Sequence, residues 1–347
     1  MTKVVKIGNL KVGGKNPVRI KGMLKTLTKD TKNLIKEAKT LKEEGAEAIR
    51  VAVKEKEDAK LAVLLKKHVS LPFVADIHFN SELALSAIEG GFESVRLNPM
   101  NIYNKKDVKQ IARMAKHYGV SIRVGVNSGG FRKKFASSEK LAQAMVKEVE
   151  KYLKVLEGEN LFDIMVSIKG SDVISTIAAN KIFSKKHHYP LHLGITASGP
   201  FLEGVTRSSV GLGSLLSSGI GDIIRVSLTA PSYLEIRVAK HILESLNLRR
   251  FGPEIISCPT CSRCEVDLIK IVDKFKEKIQ ASGFNKHLRI AIMGCVVNGP
   301  GEAYQADIGV AFGKKKAAIF RKDKILKISN ENKIIPDLLR EVEKIWT

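Results

Sequence analysis

The sequence predicts an α/β protein: an N-terminal (β/α)8 barrel over residues 1–248, followed by a small α+β domain over residues 253–347. Three observations carry this reading. Short β-branched runs alternate with amphipathic helical stretches eight times, and such alternation requires parallel strands joined by crossover helices. The rhythm changes after Leu248, where Arg249-Arg250-Phe251-Gly252-Pro253 reads as a linker. All four cysteines then lie in the last quarter of the chain; the first 257 residues contain none.

Taken in order, the barrel strands are expected at residues 18–22, 48–53, 72–77, 94–99, 121–127, 163–169, 190–196 and 222–228. Helical patterns between them include 30–44, 105–117, 138–156, 171–183 and 233–246. Eight units in roughly 230 residues suit a closed TIM-type barrel better than an open doubly wound sheet. No Gly-x-Gly-x-x-Gly turn follows the first strand. Beyond the linker come a helix near 266–282, a strand at 288–294 and another near 306–312. A hairpin of 317–320 with 325–328 and a closing helix from Pro336 complete the small domain.

The barrel strands end in a repeated polar pattern: Arg50, Asp76 with His78, Arg96 with Asn98, Arg123 with Asn127, Lys169, and Arg225 with Ser227. A charged side chain inside an apolar strand is costly unless something pairs with it. Near these cations the sequence offers Asp76 and Asp172 as acids, too few to balance them. The side chains are expected to converge at the carboxyl-end rim, where barrel enzymes place their chemistry. Arginine forks there suit phosphate or diphosphate oxygens. Arg19 and Lys21 of the first strand cannot be oriented from the pattern. His192 reads as a hydrogen-bonded core residue, and the small residues of Ser208-Ser209-Val210-Gly211-Leu212-Gly213 read as a weak anion loop entering a helix.

The net charge of +23 implies an anionic partner, whether a nucleic acid, an anionic substrate or an acidic protein. Aromatics are few and not interleaved with the basic runs, which argues against base stacking. No apolar run is long enough to cross a bilayer, and the N-terminus lacks the apolar core of a signal peptide. A cytoplasmic protein without a membrane partner is expected.

Cys258, Cys261 and Cys264 form the run Cys-Pro-Thr-Cys-Ser-Arg-Cys, and Cys295 lies in Met-Gly-Cys-Val-Val-Asn-Gly-Pro-Gly-Glu. Thiolates at this spacing, with a distant fourth, suit a tetrahedral zinc or an iron–sulfur cluster, and the spacing does not choose between them. The zinc choice leads to an alternative function, a zinc-stapled basic nucleic-acid-binding protein.

Together these segments resemble the hydroxymethylbutenyl diphosphate synthase family, iron–sulfur enzymes of the methylerythritol phosphate route to isoprenoids. The matching segments are 74–79 (Val-Ala-Asp-Ile-His-Phe), 95–99 (Val-Arg-Leu-Asn-Pro), 122–127 (Ile-Arg-Val-Gly-Val-Asn) and 191–196 (Leu-His-Leu-Gly-Ile-Thr). They continue with 219–228, 258–263 and 294–303, in order across nearly the whole chain. The resemblance implies an oxidoreductase acting on CH or CH2 groups, with flavodoxin or ferredoxin as electron donor. It implies a [4Fe-4S] cluster on Cys258, Cys261 and Cys295, with Glu302 at the fourth iron and Asn298 nearby. The implied reaction is the two-electron reductive opening of methylerythritol cyclodiphosphate with loss of water. Arg50, Arg96, Arg123, Lys169 and Arg225 would hold the diphosphate, with Asn98, Asn127 and Ser227 as further substrate contacts. Asp76 and His78 join Asn298 and Glu302 as catalytic candidates. The family closes its cluster domain over a barrel, normally the partner's, so a homodimer is implied. The chain departs from the family at Ala197, where many relatives carry Glu, and at Phe251, where an arginine is often found. It also has Lys21-Gly22-Met23-Leu24-Lys25-Thr26 where relatives often have Gln-Ser-Met-Thr-Asn-Thr, and Cys264 is additional.

Overall fold

The computed structural model describes residues 1–346 other than 265, 296–303, 305 and 323, so Asn298 and Glu302 lie outside the described residues. The chain divides into two compact units, Met1–Arg249 and Arg250–Thr347.

The first unit opens with a small antiparallel hairpin of β1 (Val5–Ile7) and β2 (Leu10–Val12). Eight parallel strands follow: β3 (Arg19–Met23), β4 (Ala48–Val53), β5 (Phe73–Ile77), β6 (Ser94–Leu97), β7 (Ser121–Asn127), β8 (Ile164–Lys169), β9 (His192–Leu193) and β10 (Ile223–Ile224). They pair in the order β8-β7-β6-β5-β4-β3-β10-β9. A parallel bridge between Val166 and Leu191 then brings β8 against β9 and closes the barrel. Helices α1 (Thr31–Glu43), α2 (Leu61–Lys66), α3 (Ser81–Glu89), α4 (Lys105–Tyr118), α5 (Ser138–Glu157), α6 (Val173–Lys186), α7 (Phe201–Leu216) and α8 (Ser232–Ser245) alternate with the strands.

The period of two along each strand decides which side chains enter the barrel. On β7, Ile122, Val124 and Val126 lie on one face, while Arg123, Gly125 and Asn127 share the other. On β8, Ile164, Val166 and Ile168 alternate with Met165, Ser167 and Lys169 in the same way. The apolar set is buried beneath helices and the polar set is turned to the axis.

Two expectations need correction here. The last two barrel strands are only two residues long, not the seven expected at 190–196 and 222–228. A Cβ on Gly194 would stand 2.5 Å from both the Arg225 carbonyl and Lys169 Nζ, so the backbone leaves the ladder where the lysine side chain crosses it. The run Ser208–Gly213 lies inside α7, not in a loop before it: Ser208 and Gly211 are buried, and a Cβ on Gly211 would meet Ile195 at 2.7 Å. Its small residues serve helix packing.

The β1–β2 hairpin was not legible. It buries Val5, Ile7 and Val12 against Val74, Met165 and Ile223 of the barrel strands. At about 1.5–3 kcal/mol per buried side chain, this contact holds the hairpin in place.

The second unit is a five-stranded sheet of β11 (Glu254–Ser257), β12 (Arg289–Met293), β13 (Ile308–Phe312), β14 (Lys316–Arg321) and β15 (Lys324–Asn330) in sequential order. The first three strands are parallel and the last two antiparallel. Helices α9 (Leu268–Ala281) and α10 (Ile334–Trp346) supply Leu268, Phe275, Ile279, Leu338 and Val342 to a core with Ile290, Ile292, Ile308 and Val310. Strand β11 follows directly on the expected linker, in a segment to which the sequence pattern assigned no element.

Candidate active site

Six cationic side chains converge inside the barrel: Lys21 from β3, Arg50 from β4, Arg96 from β6, Arg123 from β7, Lys169 from β8 and Arg225 just after β10. Two acids answer them. Asp76 on β5 lies 3.8 Å from Arg50 Nε and 3.5 Å from Arg96 Nη1. Glu235, in the first turn of α8, accepts from Arg225 Nη2 at 3.0 Å and from the Leu228 amide, and pairs with Lys25 Nζ at 2.8 Å. Asp172, the second acid expected from sequence, is elsewhere engaged: it caps α6 by accepting from the Ser175 and Ile174 amides. Glu235 takes its place near the cations.

Each cation is held by a named neighbour. Arg96 donates to the Gly125 carbonyl at 3.1 Å and sits 2.9 Å from His78 Nε2. Arg123 donates to Ser167 Oγ at 2.8 Å. Arg50 is packed on Met23 Sδ. Lys169 Nζ donates to the Leu193 carbonyl at 3.2 Å and faces His192 Nε2 at 3.3 Å. Arg225 donates to Ser227 Oγ. These bonds leave donors over: Lys21 Nζ, Arg123 Nε and Nη2, Arg96 Nε and Arg225 Nε are buried without a hydrogen-bond partner. Buried donors without partners are expensive, and here they are gathered around one axis.

The electrostatics follow from that crowding. Burial, reinforced by Arg123 and Arg50, holds the Lys169 amine well below the ordinary lysine range. Burial and the same two arginines, with Lys169, do so for Lys21. Burial and the Lys169 charge keep His192 well below the usual imidazole value. For Asp76, burial works against the carboxylate, but Arg50, the His78 hydrogen bond, Arg96 and Arg123 outweigh it and leave its carboxyl well below its usual range. The well is therefore short of negative charge.

At the rim, His78 stands 3.6 Å from Asp76 Oδ2, with Asn101 Nδ2 at 2.7 Å from its other ring nitrogen. Phe79 next to it takes a left-handed φ of 62°, turning the chain sharply after the imidazole. Asn98 is buried and accepts from the Met100 amide. Asn127 ends β7 beside Lys169 in register. Ala197 has a φ of 49° and is exposed, so no carboxylate stands there; Glu203 lies exposed on the first turn of α7. Sequence reasoning missed Lys21, Met23, Ser167 and Glu235. Glu235 had a signal, since it shares the helical face of Ala239 and Ile242, which are buried against the barrel. Arg19 turns away and pairs with Glu47.

In the second unit, Cys258, Cys261 and Cys295 line one cavity of about 190 Å³ with Pro259, Thr260, Arg263 and Met293. None of the four cysteines forms a disulfide. The Gly294 amide donates to Cys258 Sγ at 3.3 Å, the kind of bond that tunes a metal-bound thiolate. Among the described residues, no three His, Cys, Asp or Glu side chains gather at single-ion distance. The donor chemistry nevertheless fits a polynuclear sulfur-ligated group, because three thiols share one cavity. Cys264 is not in the lining. It donates to the Val266 carbonyl and packs into the apolar core, so close to Gly294 that a Cβ there would be 2.4 Å from its sulfur.

A closed barrel with a cationic well, joined in one chain to a cysteine-bearing α+β domain, defines a TIM-barrel enzyme with a well suited to an anionic substrate and a second domain that carries all the cysteines. Family models described as the GcpE TIM-barrel domain and the GcpE protein C-terminal domain match residues 2–240 and 254–344. The chain belongs to the GcpE family. It is 44% identical over 347 residues to the 4-hydroxy-3-methylbut-2-en-1-yl diphosphate synthase (flavodoxin) of Caldanaerobacter subterraneus subsp. tengcongensis, covering 99% of this chain and 97% of the relative. It is 42% identical over 346 residues to the protein of the same name from Clostridium acetobutylicum, covering 99% of each. Among solved structures, the dihydropteroate synthase of Stenotrophomonas maltophilia is similar with a TM-score of 0.53 at 12% identity, covering 69% of this chain and 97% of that one. The DAHP synthase of Thermotoga maritima is similar at 0.52 and 13%, covering 71% and 72%. These two likenesses show the barrel fold alone.

The alternative of a zinc-stapled nucleic-acid-binding protein is overturned by these full-length synthase relatives.

Proposed function

We propose that this chain converts 2-C-methyl-D-erythritol 2,4-cyclodiphosphate to (E)-4-hydroxy-3-methylbut-2-enyl diphosphate, a reductive ring opening that takes two electrons and expels one hydroxyl as water. The observation that carries the substrate assignment is the well of six basic side chains against two acids, with buried donors left without hydrogen-bond partners. A diphosphate supplies the missing negative charge and the missing acceptors together. Arg50, Arg96, Arg123, Lys169 and Arg225 hold its oxygens, and Asn98, Asn127 and Ser227 orient the rest of the substrate. Fixed charges held by a rigid barrel need no reorganisation as the ring opens. Asp76 and His78 form the titratable pair at the rim, His78 being the proton-carrying group and Asp76 the carboxylate that orients it.

Cys258, Cys261 and Cys295 would hold a [4Fe-4S] cluster, which supplies electrons singly and a Lewis-acid iron. Glu302 as fourth ligand and Asn298 beside it rest on their sequence motif. Reduced flavodoxin, or a ferredoxin, is the donor, a homodimer the assembly and the cytoplasm the compartment.

The test is anaerobic purification with iron, sulfide and zinc analysis, followed by turnover of the cyclodiphosphate with reduced flavodoxin. About four irons and four sulfides per chain, with product formed, supports the proposal. One zinc per chain and no iron after anaerobic reconstitution overturns it.

A further inference from the structure

Lys21 is counted in the well but given no contact with the diphosphate above, yet it is among the most deeply enclosed cations of the barrel. Its side chain is 1% exposed, and Nζ has no hydrogen-bond partner. Around it stand Arg50 on β4, Asp76 on β5, Arg123 on β7, Lys169 on β8 and His192 on β9. Behind β3, Glu235 of α8 is already engaged by Arg225 and Lys25. On the opposite face of β3, Gly22 lies against the apolar side chains of Leu41, Ala46 and Ile236.

Burial and the nearby Arg123, Arg50 and Lys169 disfavour the ammonium form of this amine, and only Asp76 among its charged neighbours favours it. Its value lies in what the well receives. We infer that Lys21 is a further anion-holding residue of this barrel, one that joins the arginines around the diphosphate and takes up its proton as the diphosphate enters. The inference rests on the diphosphate reading above. Burial, Arg123 and Arg50 oppose the charged amine in the anion-free well, and a multiply charged anion reverses the sign of that local field. Substrate binding and protonation of Lys21 are then linked, and affinity strengthens as pH falls. Lys169 shares the effect and is left in place in every variant below.

The experiment is calorimetric titration of the oxidised holoprotein with the cyclodiphosphate, without reductant, in buffers of differing ionisation enthalpy between pH 6.5 and 9.5. The phosphates of this ligand have no proton to exchange in that range, so uptake reports the protein. The wild type is expected to take up protons on binding. Lys21→Gln and Lys21→Met should take up roughly one proton fewer at most, and bind about tenfold more weakly at pH 6.5. The gap should close towards pH 9.5. Both variants should melt at higher temperature than wild type without ligand, because an unpartnered buried amine is gone. Unchanged proton uptake in both variants overturns the inference, whatever happens to affinity, because a merely structural role would not move protons. A wild type that does not bind the cyclodiphosphate overturns the diphosphate reading and the inference with it.

Discussion

Asp76 is the residue on which the cationic well depends. It touches Arg50, Arg96 and His78 from one strand position, and it is buried. Its lowered pKa makes a signed prediction. A carboxylate held below its unfolded value contributes stability that is present above that value and lost as pH falls through the lowered one. Acid unfolding followed by circular dichroism should therefore show a contribution at low pH that Asp76→Asn lacks. At neutral pH the same substitution should cost about 3–5 kcal/mol, because removing one partner leaves uncompensated buried charge. Sulfate should raise the melting temperature of Asp76→Asn more than that of wild type, since a mobile anion replaces the fixed one. Glu235→Gln should act similarly on Arg225 and Lys25, and should raise KM for the cyclodiphosphate more than it lowers kcat. The arginines were legible in sequence because an isolated charge in a β-branched run is conspicuous. Lys21 was not, because a first strand of Arg-Ile-Lys-Gly-Met does not reveal which cation turns inward, and Glu235 was readable only from the apolar helical face it shares with Ala239 and Ile242.

At the scale of elements, the cysteine loops show how packing assigns roles that spacing leaves open. The run Cys258 to Cys264 offers three thiols at equal intervals, and sequence cannot rank them. The fold separates them: Cys258 and Cys261 line a cavity with Cys295, while Cys264 turns into the core against Gly294. Cys264→Ala should therefore keep the iron content of the holoprotein, whereas serine at Cys258, Cys261 or Cys295 should reduce it severely. Gly294→Ala should also lose iron, because its Cβ would overlap the Cys264 sulfur. Combining it with Cys264→Ala should restore much of the loss, a coupling that a double-mutant cycle of iron content reads directly. The long elements of both units were visible in sequence through their periodicity. The three-residue strands of the hairpin were not, because they are too short to show a period, and β9 and β10 were placed correctly but drawn too long.

For the whole molecule, 59 Lys and Arg against 36 Asp and Glu set the sign of the field met by any approaching protein. If the electron donor is an acidic flavodoxin, association is steered by that field and weakens as salt screens it. The rate of reduction by flavodoxin at low donor concentration should fall at least severalfold between about 0.02 and 0.3 M salt. Reduction by dithionite should respond far less, which stopped-flow spectroscopy at both salts would separate. The overall charge pointed to an anionic partner; which cations line the barrel and which lie on the surface became clear only when the barrel closed around six of them.

The N-terminal hairpin gives that barrel a direction of traffic. With Val5, Ile7 and Val12 seated against Val74, Met165 and Ile223, one end is a stopper of hydrocarbon. Cargo must therefore come and go through a single doorway, so a spent molecule blocks its successor until it departs. No counter-ion can slip in from beneath to soften the grip on it. Release must then be achieved at the mouth, by the route that admitted the cargo.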